Sequence, residues 1–171
     1  MEPYFLKADC APQYFINSQS CTPLIRHVNA HNGAFALSVI SGIGSKNAFP
    51  AYMHARADAA QGLFEGGSVK LPSHTLFRCI EGKIRFTLEE GEEEVSAGES
   101  VMVPATRAFS YVVTSAYARM YVFSGKGGGL EEVFVGVGRK GEKGEVIGAT
   151  EDVVTREAVK QAVEALGGEV V

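Results

Sequence analysis

Apolar and polar residues alternate through the middle of the chain. Ile84, Phe86 and Leu88, then Val101 and Val103, then Tyr111 and Val113 recur with period two, the spacing of strands that turn one face to a core. Between these runs lies an acidic segment, EEGEEE at residues 89–94, which reads as a solvated hairpin tip. Residues 115–123 add a strand with aromatic side chains at alternate positions, and the apolar run at 34–40, after the His31-Asn32-Gly33 turn, is a buried strand. Nearer the start, residues 4–6, 14–16 and 23–25 are short apolar segments separated by polar turns, as in an arm of strands.

Two segments depart from this period. Residues 51–63 follow Pro50, are rich in helix formers, and put Tyr52, Ala55, Ala59 and Leu63 on one side of a short helix. Residues 153–166 form a closing helix with Val154, Ala158, Ala162 (or Gln161) and Ala165 along one stripe; Thr150 or Asp152 caps it, and Gly167-Gly168 ends it. Residues 138–148 read as a mobile polar linker. The glycine-rich stretch at 124–129 is a turn, because it lacks the Lys-Ser/Thr pair of a phosphate cradle. The stretch at 41–45 fails the dinucleotide fingerprint, which needs a glycine where Asn47 stands. No internal repeat is visible.

Composition narrows the class. At 171 residues, 46% hydrophobic and 21% charged, the chain suits one domain with a sizeable core. A net charge of −4 favours neither nucleic acid nor anionic membrane, and no apolar run approaches the roughly 20 residues that span a bilayer. The opening MEPYFLKADC lacks the apolar region of a secretory signal, so a cytoplasmic location is expected. Three cysteines, Cys10, Cys21 and Cys79, without CxxC spacing, form neither a disulfide framework nor a structural zinc site.

Fixed residues add a resemblance. Gly62 and Gly82 bracket the first motif of the cupin superfamily, G(X)5HXH(X)3-4E(X)6G, and Gly98 and Pro104 open the second, G(X)5PXG(X)2H(X)3N. The opening PYFLKADCAPQYFIN is similar to the quercetin-dioxygenase-like branch. The resemblance implies an all-β fold: a cupin jelly-roll β-barrel with a short lid segment at 51–63 and a C-terminal helix. The barrel and its N-terminal arm would occupy residues 1–149, and residues 150–171 a helix packed on the barrel or on a dimer partner. It also implies a homodimer paired through N-terminal strands.

The metal ligands of that family are replaced. In the four-residue variant of the first motif, the His positions fall on Ser68 and Lys70 and the Glu position on Thr75. The last His position falls on Phe109, Thr106 replaces a glycine, and Val113 replaces the asparagine. The three-residue variant puts Val69 and Leu71 at the His positions. No metal and no cofactor are therefore expected.

Ligand positions in such barrels face inward, so Ser68, Lys70, Thr75 and Phe109 are expected inside, joined by period two with Phe77, Cys79, Ile84, Phe86, Tyr111 and Val113. That is an apolar pocket with a few polar groups, suited to a small molecule. Lys70, Thr75, His74 and His54 are the catalytic candidates; Ser68, Phe77, Phe86, Phe109, Tyr111 and Tyr52 are the substrate-binding candidates. An inward Lys70 could act as base or nucleophile, or hold a phenolate or carboxylate; alternatively its stem follows the wall and its amine reaches solvent. His74 faces outward unless a bulge turns it in. His54 and Asp58, four apart, would share a face of the lid helix. His27 and His31 lie in strand-to-turn sequence and make no metal pair. Arg78 and Arg85 fall on the outward phase.

The expected function is a metal-independent cupin of secondary metabolism. It would bind a small aromatic or polyketide-like molecule and catalyse a non-redox cyclisation, isomerisation or dehydration. The alternatives are a metal-dependent quercetin-dioxygenase-like oxygenase and a non-catalytic dimeric binding or structural cupin.

Overall fold

The computed structural model describes residues 13–15, 24–28, 35–42, 48–49, 68–125, 129–141 and 156–171; up to residue 67, and at 156, it describes the backbone alone. Among the described residues the strands form two antiparallel sheets. One has the strand order β12-β1-β2-β3-β11-β6-β9: Arg139–Lys140, Gln13–Phe15, Leu24–Val28, Phe35–Gly42, Ala118–Gly125, Thr75–Glu81 and Ser100–Val103. The other has the order β13-β5-β10-β7-β8: Glu169–Val170, Val69–Lys70, Ala108–Val113, Lys83–Leu88 and Gly91–Ser96, with β4 (Ala48–Phe49) also paired to β10.

The chain passes repeatedly from one sheet to the other, and the scaffold glycines stand where it does so. Between β6 and β7 the corner is Gly82, at φ +79°; between β8 and β9 it includes Gly98, at φ +93°. Both values lie in the region that side chains disfavour. The next crossing, β9 to β10, follows Pro104 and turns at Thr106, whose φ is +66°. A β-branched residue there costs on the order of 1–2 kcal/mol. The turn is held by the Thr106 N–H on the Leu71 carbonyl at 2.8 Å.

Alternation sorts the strands as period two requires. On β6, Thr75, Phe77 and Cys79 are buried while Arg78 and Ile80 are exposed; on β7, Ile84 and Phe86 are buried while Lys83 and Arg85 are exposed. Burial raises the Cys79 thiol pKa and the Glu99 carboxylate adds to this, while a bond to the Glu81 carbonyl opposes it, so the thiol is inert. The acidic hairpin is neutralised locally. Arg107 bridges Glu89 and Glu90, and Lys83 pairs with Glu94 at 3.0 Å; bonds from Lys83 and Thr114 lower the Glu94 carboxyl pKa.

Among the described residues two helices complete the core. The first, α1 (Leu130–Val137), is absent from the sequence expectations, although Leu130, Val133, Phe134 and Val137 carry the i, i+3, i+4, i+7 spacing. The second, α2 (Arg156–Ala165), buries Val159 and Val163; the expected stripe through Ala158 and Ala165 leaves Ala165 exposed. Gly136 lets the helices close on each other: a Cβ there would lie 3.1 Å from the Ala162 Cβ. Gly167, at φ +80°, ends α2 as its sequence foretells, and the Gly168 N–H returns to the Val163 carbonyl at 3.0 Å. The expected linker at 138–148 begins as a strand, since Arg139 and Lys140 pair with Phe15 and Tyr14.

Candidate functional site

The inner faces of the two sheets meet in an aromatic cluster. Phe77 from β6 touches Phe86 from β7 and Phe109 and Tyr111 from β10, with ring centroids 5.0, 5.4 and 6.1 Å away. Phe86 and Tyr111 stand 5.6 Å apart. All four are at most 5% exposed, and the rings are tilted, the arrangement that aromatic quadrupoles favour. Burial raises the Tyr111 pKa so far that the phenol stays protonated under ordinary conditions.

Thr75 faces inward, as expected, and is 1% exposed. Ser68 and Lys70 do not follow the expectation. Val69 is paired with Phe109 and is 0% exposed, so Lys70, one residue on, falls on the opposite face beside Ala108 and Glu169. Its amine meets the Glu169 carboxylate at 3.3 Å near the surface, an exposed pair worth at most about 1 kcal/mol. Ser68 is tied by its backbone to Val171, with both N–H···O distances 2.9 Å. A strand slipped by one residue exchanges its faces. The inward set at the ligand positions is accordingly Val69, Leu71, Thr75 and Phe109, as in the three-residue variant of the first motif.

His74 is exposed. Its Nδ1 accepts the Ala105 N–H at 3.1 Å, which ties β6 to the turn at Thr106 and leaves the ring proton on Nε2. No bulge turns it inward. His54, Tyr52 and Asp58, with the expected lid, lie outside the described residues, as do His31, Cys10, Cys21 and the side chain of His27.

The interior carries a polar feature that the sequence reading missed. Thr75 is paired across the sheet with Ser124 of β11, which is in phase with the buried Met120 and Val122 and is 2% exposed. The Ser124 hydroxyl finds no hydrogen-bond partner among the described residues. Beside it stands Glu131, in the first turn of α1 and 0% exposed. Gly129 brings the two together: a Cβ there would fall on both the Ser124 hydroxyl and Glu131 Oε2. The first turn of a helix favours a negative charge, which accounts for a carboxylate at this depth. From the sequence alone, Glu131 and Glu132 are two acids of one helical turn, and Ser124 is the edge of a glycine-rich turn.

A cupin metal needs imidazole and carboxylate donors at the four inward positions. Val69, Leu71 and Phe109 supply none, and Thr75 supplies one neutral hydroxyl, so these residues do not fit such a metal. Among the described residues no three His, Cys, Asp or Glu side chains gather.

No family model matches this chain, and no curated protein matches it in sequence. Solved structures do. A cupin-superfamily sugar phosphate isomerase from Silicibacter pomeroyi aligns with a TM-score of 0.51 at 14% identity, over 72% of this chain and 76% of that one. A cupin superfamily protein from Desulfitobacterium hafniense aligns at 0.44 and 11%, over 64% and 80%. The EutQ protein of Clostridium difficile aligns at 0.45 and 10%, over 63% and 70%. At such identities the likeness concerns the fold alone: the chain has an all-β barrel fold of the cupin type.

Proposed function

We propose that this barrel is a metal-independent cupin that binds a small molecule with an aromatic or other apolar body and promotes a non-redox step by orientation and acid–base help. The observation that carries the reading is the inward set Val69, Leu71, Thr75 and Phe109, three hydrocarbon groups and a hydroxyl where a metallo-cupin needs donors. Tyr111 and Thr75 are its polar participants on the barrel wall, and His54 keeps its place as a candidate for proton transfer; His74, exposed and holding the Ala105 N–H outside the barrel, does not. Isomerisation fits such a scaffold, since the Silicibacter pomeroyi neighbour is a sugar phosphate isomerase. Elemental analysis of the purified protein tests the reading. Iron, copper, manganese, nickel and zinc are each expected well below stoichiometric, with no change in melting temperature after chelation. One equivalent of any of them would restore the oxygenase alternative.

The packed aromatic cluster favours a second reading, a barrel that does no chemistry and serves as a carrier or partner subunit. Both readings include a cytoplasmic homodimer. The outer face of the larger sheet supports pairing, with Met102 at 56% and Tyr121 at 38% exposure. Light scattering is expected to return twice the 18.2 kDa chain mass for the native protein and the single mass for Met102→Glu. A native monomer would end the homodimer reading.

A further inference from the structure

Strands β12 and β9 end the larger sheet, and β13 and β8 end the smaller one. A bare sheet edge is a template for another chain, and charged side chains are the usual guard. β12 carries Arg139 and Lys140, β13 carries Glu169, and β8 carries Glu92, Glu93 and Glu94. β9, Ser100-Val101-Met102-Val103, carries no charge. Its orientation is fixed at the Gly98 corner. There the Gly98 N–H meets the Cys79 carbonyl at 2.9 Å, and the Cys79 N–H meets the Glu99 carbonyl at 3.0 Å. Bonds along an antiparallel pair alternate, so Val101 and Val103, opposite Phe77 and Thr75, bond to β6. The N–H and C=O groups of Ser100 and Met102 point the other way. Among the described residues no strand pairs with that side, and Met102 is 56% exposed. Pro104, the next residue in this phase, has no N–H, and its carbonyl accepts the Arg107 N–H at 3.3 Å. The open edge therefore ends at Met102.

We propose that β9 takes β9 of a second copy, antiparallel about a two-fold axis at Val101, and joins the larger sheets of two copies into one. This rests on the homodimer reading and names the strand that carries it. The edge is self-complementary in that register. Gly98 and Pro104 bound it evenly about Val101, and Ser100 of each copy meets Met102 of the other, both with their free backbone groups facing the partner. Moving the register by one residue would set an outward residue against one already bonded to β6. On the outer face of the sheet each Met102 would cover the other copy's Ser100, and the two Val101 side chains would meet on the opposite face. The paired stretch holds no cation and no carboxylate, so like charges do not oppose it. The alternative pairing element, β1 of the N-terminal arm, is engaged within its own chain by β2 and β12.

Sedimentation velocity over a dilution series of the 171-residue chain tests the proposal with three variants. Ser100→Pro removes an N–H that β6 does not use, and proline is tolerated on an edge strand. By symmetry the dimer loses that bond in both copies, and self-association is expected to weaken about tenfold or more. Ser100→Ala keeps the N–H and is expected to pair as the native chain does. Tyr121→Glu places a charge on the outer face of β11, two strands from the edge, and is expected to leave pairing largely intact. Hydrogen exchange gives a second measurement should Ser100→Pro fail to fold. The Ser100 and Met102 amides of the native protein are expected to exchange more slowly as concentration rises. A Ser100→Pro dimer as tight as the native one, or amides whose exchange ignores concentration while a dimer forms, would overturn the assignment to β9 and leave the homodimer standing. Dissociation by Tyr121→Glu with Ser100→Pro still paired would move the interface from the edge to the face of the sheet, and so would also overturn it. A native protein that stays monomeric throughout the series would overturn the proposal together with the homodimer reading.

Discussion

Replacing Phe77 with alanine is expected to destabilise the protein by about 3–5 kcal/mol, the usual cost of emptying a buried phenylalanine site. Phe77 is 1% exposed and is the ring through which the sheets meet, with Phe86, Phe109 and Tyr111 all against it. The substitution removes both the ring's transfer free energy and its edge contacts, and neighbours on stiff strands collapse poorly into the void. For a domain of this size the loss corresponds to a melting temperature lower by roughly 6–20 °C. Thermal and urea denaturation check it. A cost under about 1 kcal/mol would mean that the cluster is loosely packed and that the interior has room to spare. The result also bears on function, because a tight cluster favours the carrier reading and a loose one favours a ligand cavity.

The second large effect is expected at Gly82, the corner where the chain leaves β6 for β7. Gly82→Ala should cost about 2–5 kcal/mol, combining left-handed backbone strain with overpacking. The added Cβ would fall against the Tyr117 carbonyl oxygen, 2.6 Å from Ser115 Oγ and 2.9 Å from the Ala118 Cα. Those neighbours cannot retreat easily. Ser115 Oγ accepts the Lys83 N–H at 2.9 Å and donates to the Tyr117 carbonyl at 2.6 Å. Gly91→Ala is the control, since its φ is also positive, +142°, but no atom lies within 4 Å of its added Cβ. Urea midpoints for the two variants should separate clearly. Equal, small losses would show that the 114–118 turn yields and that Gly82 is needed for its dihedral alone.

Much of the barrel was legible because its signals are local. Period two in 84–88 and 108–113 requires only that a strand bury one face, and Gly82, Gly98 and Pro104 mark corners by their own backbone chemistry. The facing of β5 was legible locally and was overridden by the motif. Ser68-Val69-Lys70-Leu71 alternates polar and apolar, which puts Val69 and Leu71 inside, whereas the four-residue motif spacing put Ser68 and Lys70 there. Pairing with β10 and β13 buries Val69 and sends Lys70 to Glu169.

Helix α1 was obscured by its length and by the glycines before it, although its four apolar positions were in view. In α2 the small alanines suggested one stripe, while the β-branched Val159 and Val163 fill the space beside α1 and the barrel.

The amino-acid order was thus enough for a strand-rich barrel with glycine corners. It was not enough to say which oxygens lie inside. Glu131 and Glu132 are neighbours of identical chemistry, and one is wholly buried while the other reaches the surface. Ser124 is one more polar residue until β11 pairs with β6 and sets it beside Thr75. The depth of a polar group follows from what packs over it, and here that cover comes from strands and helices far apart along the chain.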